Sequence, residues 1–184
     1  MDETLDALLK IDDAIKTVCN VFGSEKDVKV RRKALVIMAL CGNYNDNGFQ
    51  LVVQAMNSYK LHRKEPHRFH DLMLAMRMES DHKFKACCLL LINTLINSPS
   101  ERAARALMMK EFLQMDLQVA VEELKSLNTT DKTLKSQIKV FDETNEKFMD
   151  SDMDSDMSDI SDPVQLTKLL QLKLGSFPAM LNLV

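Results

Sequence analysis

The chain has 184 residues, of which 46% are hydrophobic, with four glycines, four prolines, no tryptophan and a formal net charge of −3. This length allows one domain with a sizeable core, and the scarcity of chain-breaking residues favours an all-α protein. No apolar run reaches the roughly 20 residues that span a bilayer and the four cysteines form no CxxC pair, so we expect a soluble cytoplasmic protein with reduced thiols and no membrane span.

The first half of the chain shows helical periodicity almost throughout. Apolar residues recur there at helical spacing in four segments, at about 4–21, 28–41, 49–59 and 66–76. Gly23 and Ser24 are expected to end the first helix, and an Asn-rich loop over 42–48 is expected to follow the second. Pro66 suits the first turn of the fourth helix.

The most apolar stretch lies at the centre of the chain. Between Ala86 and Ile96 only Asn93 and Thr94 are polar, and this run is too long for a typical strand. It therefore predicts a helix that is covered on most sides. Three more helices are expected after it, at about 104–115, 117–127 and 134–141.

Caps are predicted for two of these later helices. Ser98 or Ser100 can cap the helix that follows the central one, and Thr130 or Asp131 can cap the helix that carries Leu134. Helices centred near Met38, Leu91 and Ile138 recur about every 50 residues, with two shorter helices between each pair. The spacing predicts three-helix repeats, and hence an armadillo/HEAT-like right-handed superhelix, or α-solenoid.

An acidic segment follows the predicted repeats. Residues 142–162 contain nine acids and one lysine, a local net charge of −8, which leaves +5 for the rest of a chain whose total is −3. Such a segment repels phosphates, so no nucleic-acid partner is expected. We expect helical repeats over 1–141, an acidic connector over 142–162, and the start of a further, truncated repeat over 163–184.

Catalytic and metal-binding patterns are weak. His67 and His70 lie three residues apart, but solvent-facing histidines are favoured over a zinc site. The run that starts at Asp150 resembles an EF-hand loop, yet it has Ser155 where glycine is needed and Ser161 where a bidentate glutamate is needed. There is no Gly-rich phosphate loop and no Ser-His-Asp or Cys-His arrangement. We therefore expect no enzyme, no metal and no cofactor.

Four local motifs carry a resemblance to a known family. They are Arg68, Phe69, Leu72 and Met73 at a helix start; LINTLI at 91–96; EFL at 111–113 followed by LQVAVEELKSL; and QIKVFDE at 137–143. In this order and spacing they resemble the armadillo-type regulatory region of Diaphanous-related formins, the formin homology 3 or Diaphanous-inhibitory domain. The resemblance implies a non-enzymatic module whose concave groove binds an amphipathic autoregulatory helix, within one chain or in trans. A Rho-family GTPase would displace that helix in the intact protein.

In armadillo-like superhelices the third helix of each repeat lines the concave face, so exposed polar residues on these otherwise buried helices are candidates for ligand contact. Those expected to line the groove are Asn93, Thr94, Asn97, Gln137 and Lys139. For Asn93, a buried amide satisfied by a neighbouring backbone group is an equal alternative. The resemblance further implies a cytoskeleton-associated protein that organises actin only through other domains. The alternative function is a free-standing armadillo or HEAT adaptor unrelated to actin.

Overall fold

The computed structural model describes residues 2–11 and 13–154, which form nine α-helices and contain no strand. The helices are α1 Asp2–Leu9, α2 Ala14–Ser24, α3 Val28–Tyr44, α4 Asp46–Arg63, α5 His70–Met78, α6 His82–Asn97, α7 Arg102–Leu113, α8 Leu117–Lys125 and α9 Lys132–Asp154. The all-α prediction is thus confirmed.

The helices form successive units of three. Two such units are α4–α5–α6 and α7–α8–α9, and α2 and α3 occupy the corresponding places before them. The last helix of each unit packs against the last helix of the next, α3 on α6 and α6 on α9. This arrangement is the predicted armadillo/HEAT-like α-solenoid, in which each unit buries its apolar side against its neighbours.

Helix α6 lies at the centre of the core. Ten of its sixteen residues are buried, which confirms the predicted central helix. Asp81 caps its first turn by accepting hydrogen bonds from the backbone N–H groups of Lys83 and Phe84. Asp131 caps α9 in the same way, accepting from the N–H of Leu134 at 2.8 Å, as the sequence predicted.

The predicted first helix is wrong, because the structure divides it into α1 and α2. Asp13 stands just before α2 with φ 59°, in the left-handed region, which no continuous right-handed helix can contain. Aspartate is one of the few residue types that tolerate this conformation. The apolar spacing of both helices is nevertheless helical, so periodicity alone does not reveal the break.

The predicted loop over 42–48 is also wrong. Helix α3 continues to Tyr44 and α4 begins at Asp46, so only Asn45 separates them. The side chain of Asn45 accepts a hydrogen bond from the N–H of Gly48 at 2.8 Å. The asparagine that suggested a loop is therefore an N-cap, since asparagine is among the best residues for that position.

Two other helix starts differ from prediction. Helix α5 begins at His70, so Pro66 lies in the connection before it rather than in its first turn. Helix α7 has Glu101 at its N-cap, with no capping hydrogen bond from that side chain. The prediction that Ser98 or Ser100 caps this helix is therefore wrong, because α7 begins at Arg102 and both serines lie before its N-cap residue.

Helix α9 continues beyond the point where the acidic connector was predicted to begin. Its described part reaches Asp154, so residues 142–154 are helical. The rest of the connector and the segment 163–184 lie outside the described residues, and the division of the chain at 141 and 162 remains a prediction. Among the helices that the structure describes, none is both long enough and apolar enough to cross a bilayer.

Candidate functional site on the third-helix face

The last helices of the three units share a surface that we call the third-helix face. It is defined by half-buried and exposed residues at helical spacing: Ile37 and Leu40 of α3; Cys87, Leu90, Thr94 and Asn97 of α6; Gln137, Val140 and Thr144 of α9. Leu40 and Val140 are 46% and 37% exposed. The face thus has exposed apolar side chains on both outer helices and polar side chains beside them.

Thr94 lies where α3 and α6 approach closely. Gly42 of α3 faces it, and a Cβ atom on Gly42 would lie only 3.4 Å from the Thr94 Cγ2 atom. Such a Cβ atom would make an ordinary van der Waals contact, so α3 and α6 lie close together at this point without requiring glycine. Thr94 is therefore a half-buried residue near the middle of the face, a position that suits a groove residue.

Asn93 lies below the face and joins α6 to α9. It is 4% exposed, and its Nδ2 atom donates to the backbone oxygen of Gln137 at 2.9 Å and to the Gln137 Oε1 atom at 3.0 Å. The alternative prediction, that Asn93 is a buried amide bonded to a neighbouring backbone group, is therefore confirmed for its Nδ2 atom. The Asn93 Oδ1 atom is buried and has no hydrogen-bond partner among the described residues.

The remaining predicted groove residues occupy different places. Asn97 is exposed, and its Nδ2 atom donates to the Asn93 backbone oxygen at 2.9 Å and to the Thr144 Oγ1 atom at 3.3 Å. Lys139 is 79% exposed and pairs with Glu143 at 3.6 Å. At 100° per residue, Lys139 lies on the flank of α9 turned away from Gln137 and Thr144. The structure thus brings four of the five predicted residues together and leaves Lys139 apart from them.

The apolar members of the face were not predicted from the sequence. The sequence indicates polar residues instead, because a polar side chain stands out on an otherwise apolar helix. Leu40, Leu90 and Val140 have the helical spacing of core residues, so the sequence offers no signal that they are accessible. Only the packing of α3, α6 and α9 side by side shows which apolar residues face solvent.

Charge is distributed unevenly along the third helices. Exposed lysines occupy their N-terminal ends, at Lys29 and Lys33 of α3, Lys83 of α6 and Lys132 of α9. The C-terminal half of α9 is acidic instead, with Glu143 and Glu146 exposed. At 100° per residue, Glu143 and Glu146 lie toward the Lys139 flank of α9 rather than on the third-helix face, so they bias the orientation of a ligand on the face only through longer-range attraction.

Cys87 gives the face a chemical probe, because it is half-buried whereas the other three cysteines are buried. Desolvation is the main cause that raises the pKa of the Cys87 thiol above its ordinary value. Since the thiolate is the reactive form, we expect the folded protein to react slowly with a disulfide reagent at about pH 7.5, and faster as the pH rises. The absorbance of the released thiol measures this. If Cys87→Ser does not remove the first thiol to react, the accessible cysteine is another one.

Known proteins resemble the chain in sequence. Residues 50–182 match the family described as the Diaphanous FH3 Domain. Formin-H of Dictyostelium discoideum is 30% identical over 115 residues, which cover 62% of this chain and 11% of the relative. Formin-F of the same organism is 30% identical over 140 residues, 70% of this chain and 11% of the relative. The chain thus spans about a tenth of the length of these curated relatives.

A solved structure has a similar fold. It is the crystal structure of E. histolytica Formin1 bound to EhRho1-GTPgammaS, with a TM-score of 0.74 and 18% sequence identity. The match covers 83% of this chain and 53% of that one. At this identity the likeness concerns the fold, and it agrees with the solenoid described above.

Proposed function

The chain belongs to the Diaphanous FH3 domain family, and from this premise we propose that it is a non-enzymatic regulatory module of a formin. In this proposal the third-helix face binds an amphipathic autoregulatory helix, either from the same polypeptide or in trans. The bound helix keeps the actin-assembling part of the formin inactive. Actin itself is contacted only through other domains, and the intact protein acts at the cytoskeleton.

The observation that carries the proposal is the composition of the third-helix face. Leu40 and Val140 are exposed apolar residues on the two outer helices, Leu90 between them is half-buried, and Thr94 lies near the middle of the face. An amphipathic helix binds by placing apolar side chains at i, i+3, i+4 and i+7 into such a surface. The polar residues Asn97 and Thr144 at one margin supply hydrogen-bonding groups beside the apolar centre.

The charge distribution supports one orientation of the bound helix. The acidic C-terminal half of α9 would attract basic residues at one end of the autoregulatory helix. The acids Asp152, Asp154 and Asp156 would extend this attraction along the chain. In the same arrangement, the lysines at the N-terminal ends of the third helices suit an acidic end of the ligand.

A Rho-family GTPase is the proposed regulator of this contact. The similar solved structure is a formin bound to a Rho protein carrying GTPgammaS. We infer that in the intact protein an activated GTPase binds close to the solenoid and displaces the autoregulatory helix. The curated relatives are themselves formins, which favours this module over a free-standing adaptor unrelated to actin.

The test is a titration of the purified chain with a fluorescent peptide from a formin autoregulatory segment. We expect binding in the micromolar range or tighter, and we expect Thr94→Asp to weaken it at least thirtyfold. A carboxylate that is buried under an apolar ligand without a partner costs about 2 kcal/mol or more, and about 1.4 kcal/mol is tenfold in affinity. Fluorescence anisotropy measures both affinities.

Thr17→Asp is the matched control for this titration. Thr17 is an exposed residue of α2, outside the third-helix face, so the same chemical change there should leave peptide affinity unchanged. The peptide should also slow the reaction of Cys87 with the disulfide reagent. Equal affinity of the wild type and Thr94→Asp would show that the peptide binds elsewhere, and no binding by folded wild type would contradict the proposal.

A further inference from the structure

The connection between α4 and α5 brings together three side chains that could hold a metal ion. They are Glu65, His70 and Asp71, and one ligand atom from each lies within 4.8 Å of the other two. The His70 Nε2 atom is 3.7 Å from the Glu65 Oε2 atom. All three side chains are partly buried, so they are neither free in solvent nor enclosed in the core.

The backbone of this connection fixes where the three side chains lie. Helix α4 ends at Arg63, and the next residue, Lys64, has φ 58° in the left-handed region that commonly terminates a helix. The N–H of Glu65 then donates to the Lys60 carbonyl oxygen at 3.0 Å. His70 and Asp71 are the first two residues of α5, and the N–H of His70 donates to the His67 carbonyl oxygen at 3.1 Å. Glu65 and His70 are thus held by backbone hydrogen bonds, and Asp71 is fixed by its place in the first turn of α5.

Tyr59 orients one of the carboxylates. Its hydroxyl donates to the Asp71 Oδ2 atom at 2.6 Å, and the residue is 4% exposed. The Tyr59 ring packs against Gly23 of α2, where a Cβ atom would overlap it. A ligating carboxylate that is itself held by a hydrogen bond is the usual arrangement in metal sites, because the outer partner fixes the orientation of the ligand.

We propose that Glu65, His70 and Asp71 bind a divalent transition metal, with zinc as the preferred ion. One imidazole nitrogen with two carboxylate oxygens suits zinc, whereas magnesium and calcium prefer sites made only of oxygen. Bonds of about 2.0 to 2.2 Å in a tetrahedron place ligand atoms roughly 3.4 Å apart, so small rotations of these partly exposed side chains bring them into position. Water occupies the fourth position, toward solvent.

The bound ion would fix the connection between the end of α4 and the start of α5. This connection also carries Arg68, the residue that pairs with Glu111 of α7. The Arg63 guanidinium lies 5.9 Å from the centre of the Tyr59 ring. Its single positive charge would repel a metal ion, but Glu65 and Asp71 together supply two negative charges. If no metal binds, the approach of His70 to Glu65 is only a partly exposed contact between two side chains. A metal titration distinguishes this case from a metal site.

The experiment is a zinc titration of the full chain, stripped with a chelator and dialysed, in competition with a chromophoric zinc indicator. We expect one zinc ion per chain, no competition from magnesium, and a visible cobalt spectrum of the intensity typical of four-coordinate sites. His70→Ala should reduce zinc affinity at least a hundredfold. Tyr59→Phe keeps the ring packing but removes the hydroxyl, and should reduce zinc affinity about 10- to 100-fold.

His67→Ala is the matched control, because His67 is exposed on the same connection but does not belong to the group. It should leave zinc affinity unchanged. The proposal is overturned if wild type binds no zinc, if His67→Ala costs as much as His70→Ala, or if the cobalt complex shows thiolate charge-transfer bands, which would assign the ion to cysteines. Circular dichroism of each variant verifies that the helical fold is retained.

Discussion

Replacing Gly48 with alanine is expected to destabilise the protein by about 3 kcal/mol, at the upper end of what overpacking usually costs. Gly48 lies in the first turn of α4, where its N–H donates to the Asn45 side chain. A Cβ atom at this position would overlap the backbone carbonyl oxygen of Cys41 in α3. A backbone oxygen cannot rotate away as a side chain can, so the short junction between α3 and α4 must open.

Gly42→Ala is the matched control for this substitution. Gly42 lies inside α3, and its added Cβ would make an ordinary contact with Thr94 at 3.4 Å. Alanine gains about 1 kcal/mol over glycine in helix propensity, so we expect Gly42→Ala to be neutral or slightly stabilising. Urea denaturation followed by circular dichroism gives both free energies of unfolding. Equal losses for the two variants would show that the α3–α4 junction tolerates a side chain.

The sequence predicts the architecture well because the central helices dominate the core. The run from Ala86 to Ile96 is too long and too apolar for a strand, and the helices near Met38 and Ile138 repeat its character. Stacking these three helices buries their apolar sides, which is the arrangement observed for α3, α6 and α9. Their spacing along the chain therefore indicated a solenoid before any tertiary contact was known.

Helix boundaries were less predictable, for local reasons. The break at Asp13 depends on one residue in a left-handed conformation, and it leaves the apolar spacing on either side unchanged. Asn45 suggested a loop, although its side chain caps α4 and allows two long helices to adjoin. In both places one polar residue determines where a helix begins. Aspartate and asparagine are common both at helix caps and in loops, so the residue type alone does not tell the two apart.

The candidate site depends on contacts between residues that are distant in the sequence. Asn93 and Gln137 are 44 residues apart, and only their hydrogen bonds show that Asn93 lies between two helices rather than on the surface. Solvent-facing histidines are likewise the sequence prediction for His67 and His70, and their spacing does not indicate that His70 lies close to Glu65 and Asp71. Polar residues could be selected from the sequence, but their neighbours could not.

Replacing Glu111 with alanine is expected to destabilise the protein by about 3 kcal/mol, the lower end of what breaking a buried ion pair costs, because the Glu111 side chain is 27% exposed. The Arg68 side chain is 5% exposed, and its Nε atom donates to the Glu111 Oε1 atom at 2.8 Å. A second bond joins Nη2 to Oε2, so the contact is bidentate. The two residues belong to two of the motifs that carry the family resemblance, and the ion pair joins the start of α5 to α7 across 43 positions.

The control for this substitution is another bidentate arginine–glutamate pair, Arg77 with Glu123. Arg77 donates to Glu123 at 2.7 Å, but the two side chains are 37% and 51% exposed, so Glu123→Ala should change stability far less. Chemical denaturation compares the two variants. A similar loss for both would show that burial does not decide the contribution of Arg68 and Glu111.

A double replacement separates the two ways in which the buried pair could contribute. When both charges are exchanged for apolar side chains of similar volume, the desolvation of the ions disappears together with their attraction, and the result is often neutral or stabilising. Arg68→Met with Glu111→Leu should therefore recover most of the stability lost in Glu111→Ala. The new methionine side chain would still lie against Phe69, over whose ring the Arg68 guanidinium stands at 4.9 Å. If the double variant is no more stable than Glu111→Ala, apolar packing cannot replace the two hydrogen bonds between Arg68 and Glu111, and these bonds themselves stabilise the contact with α7.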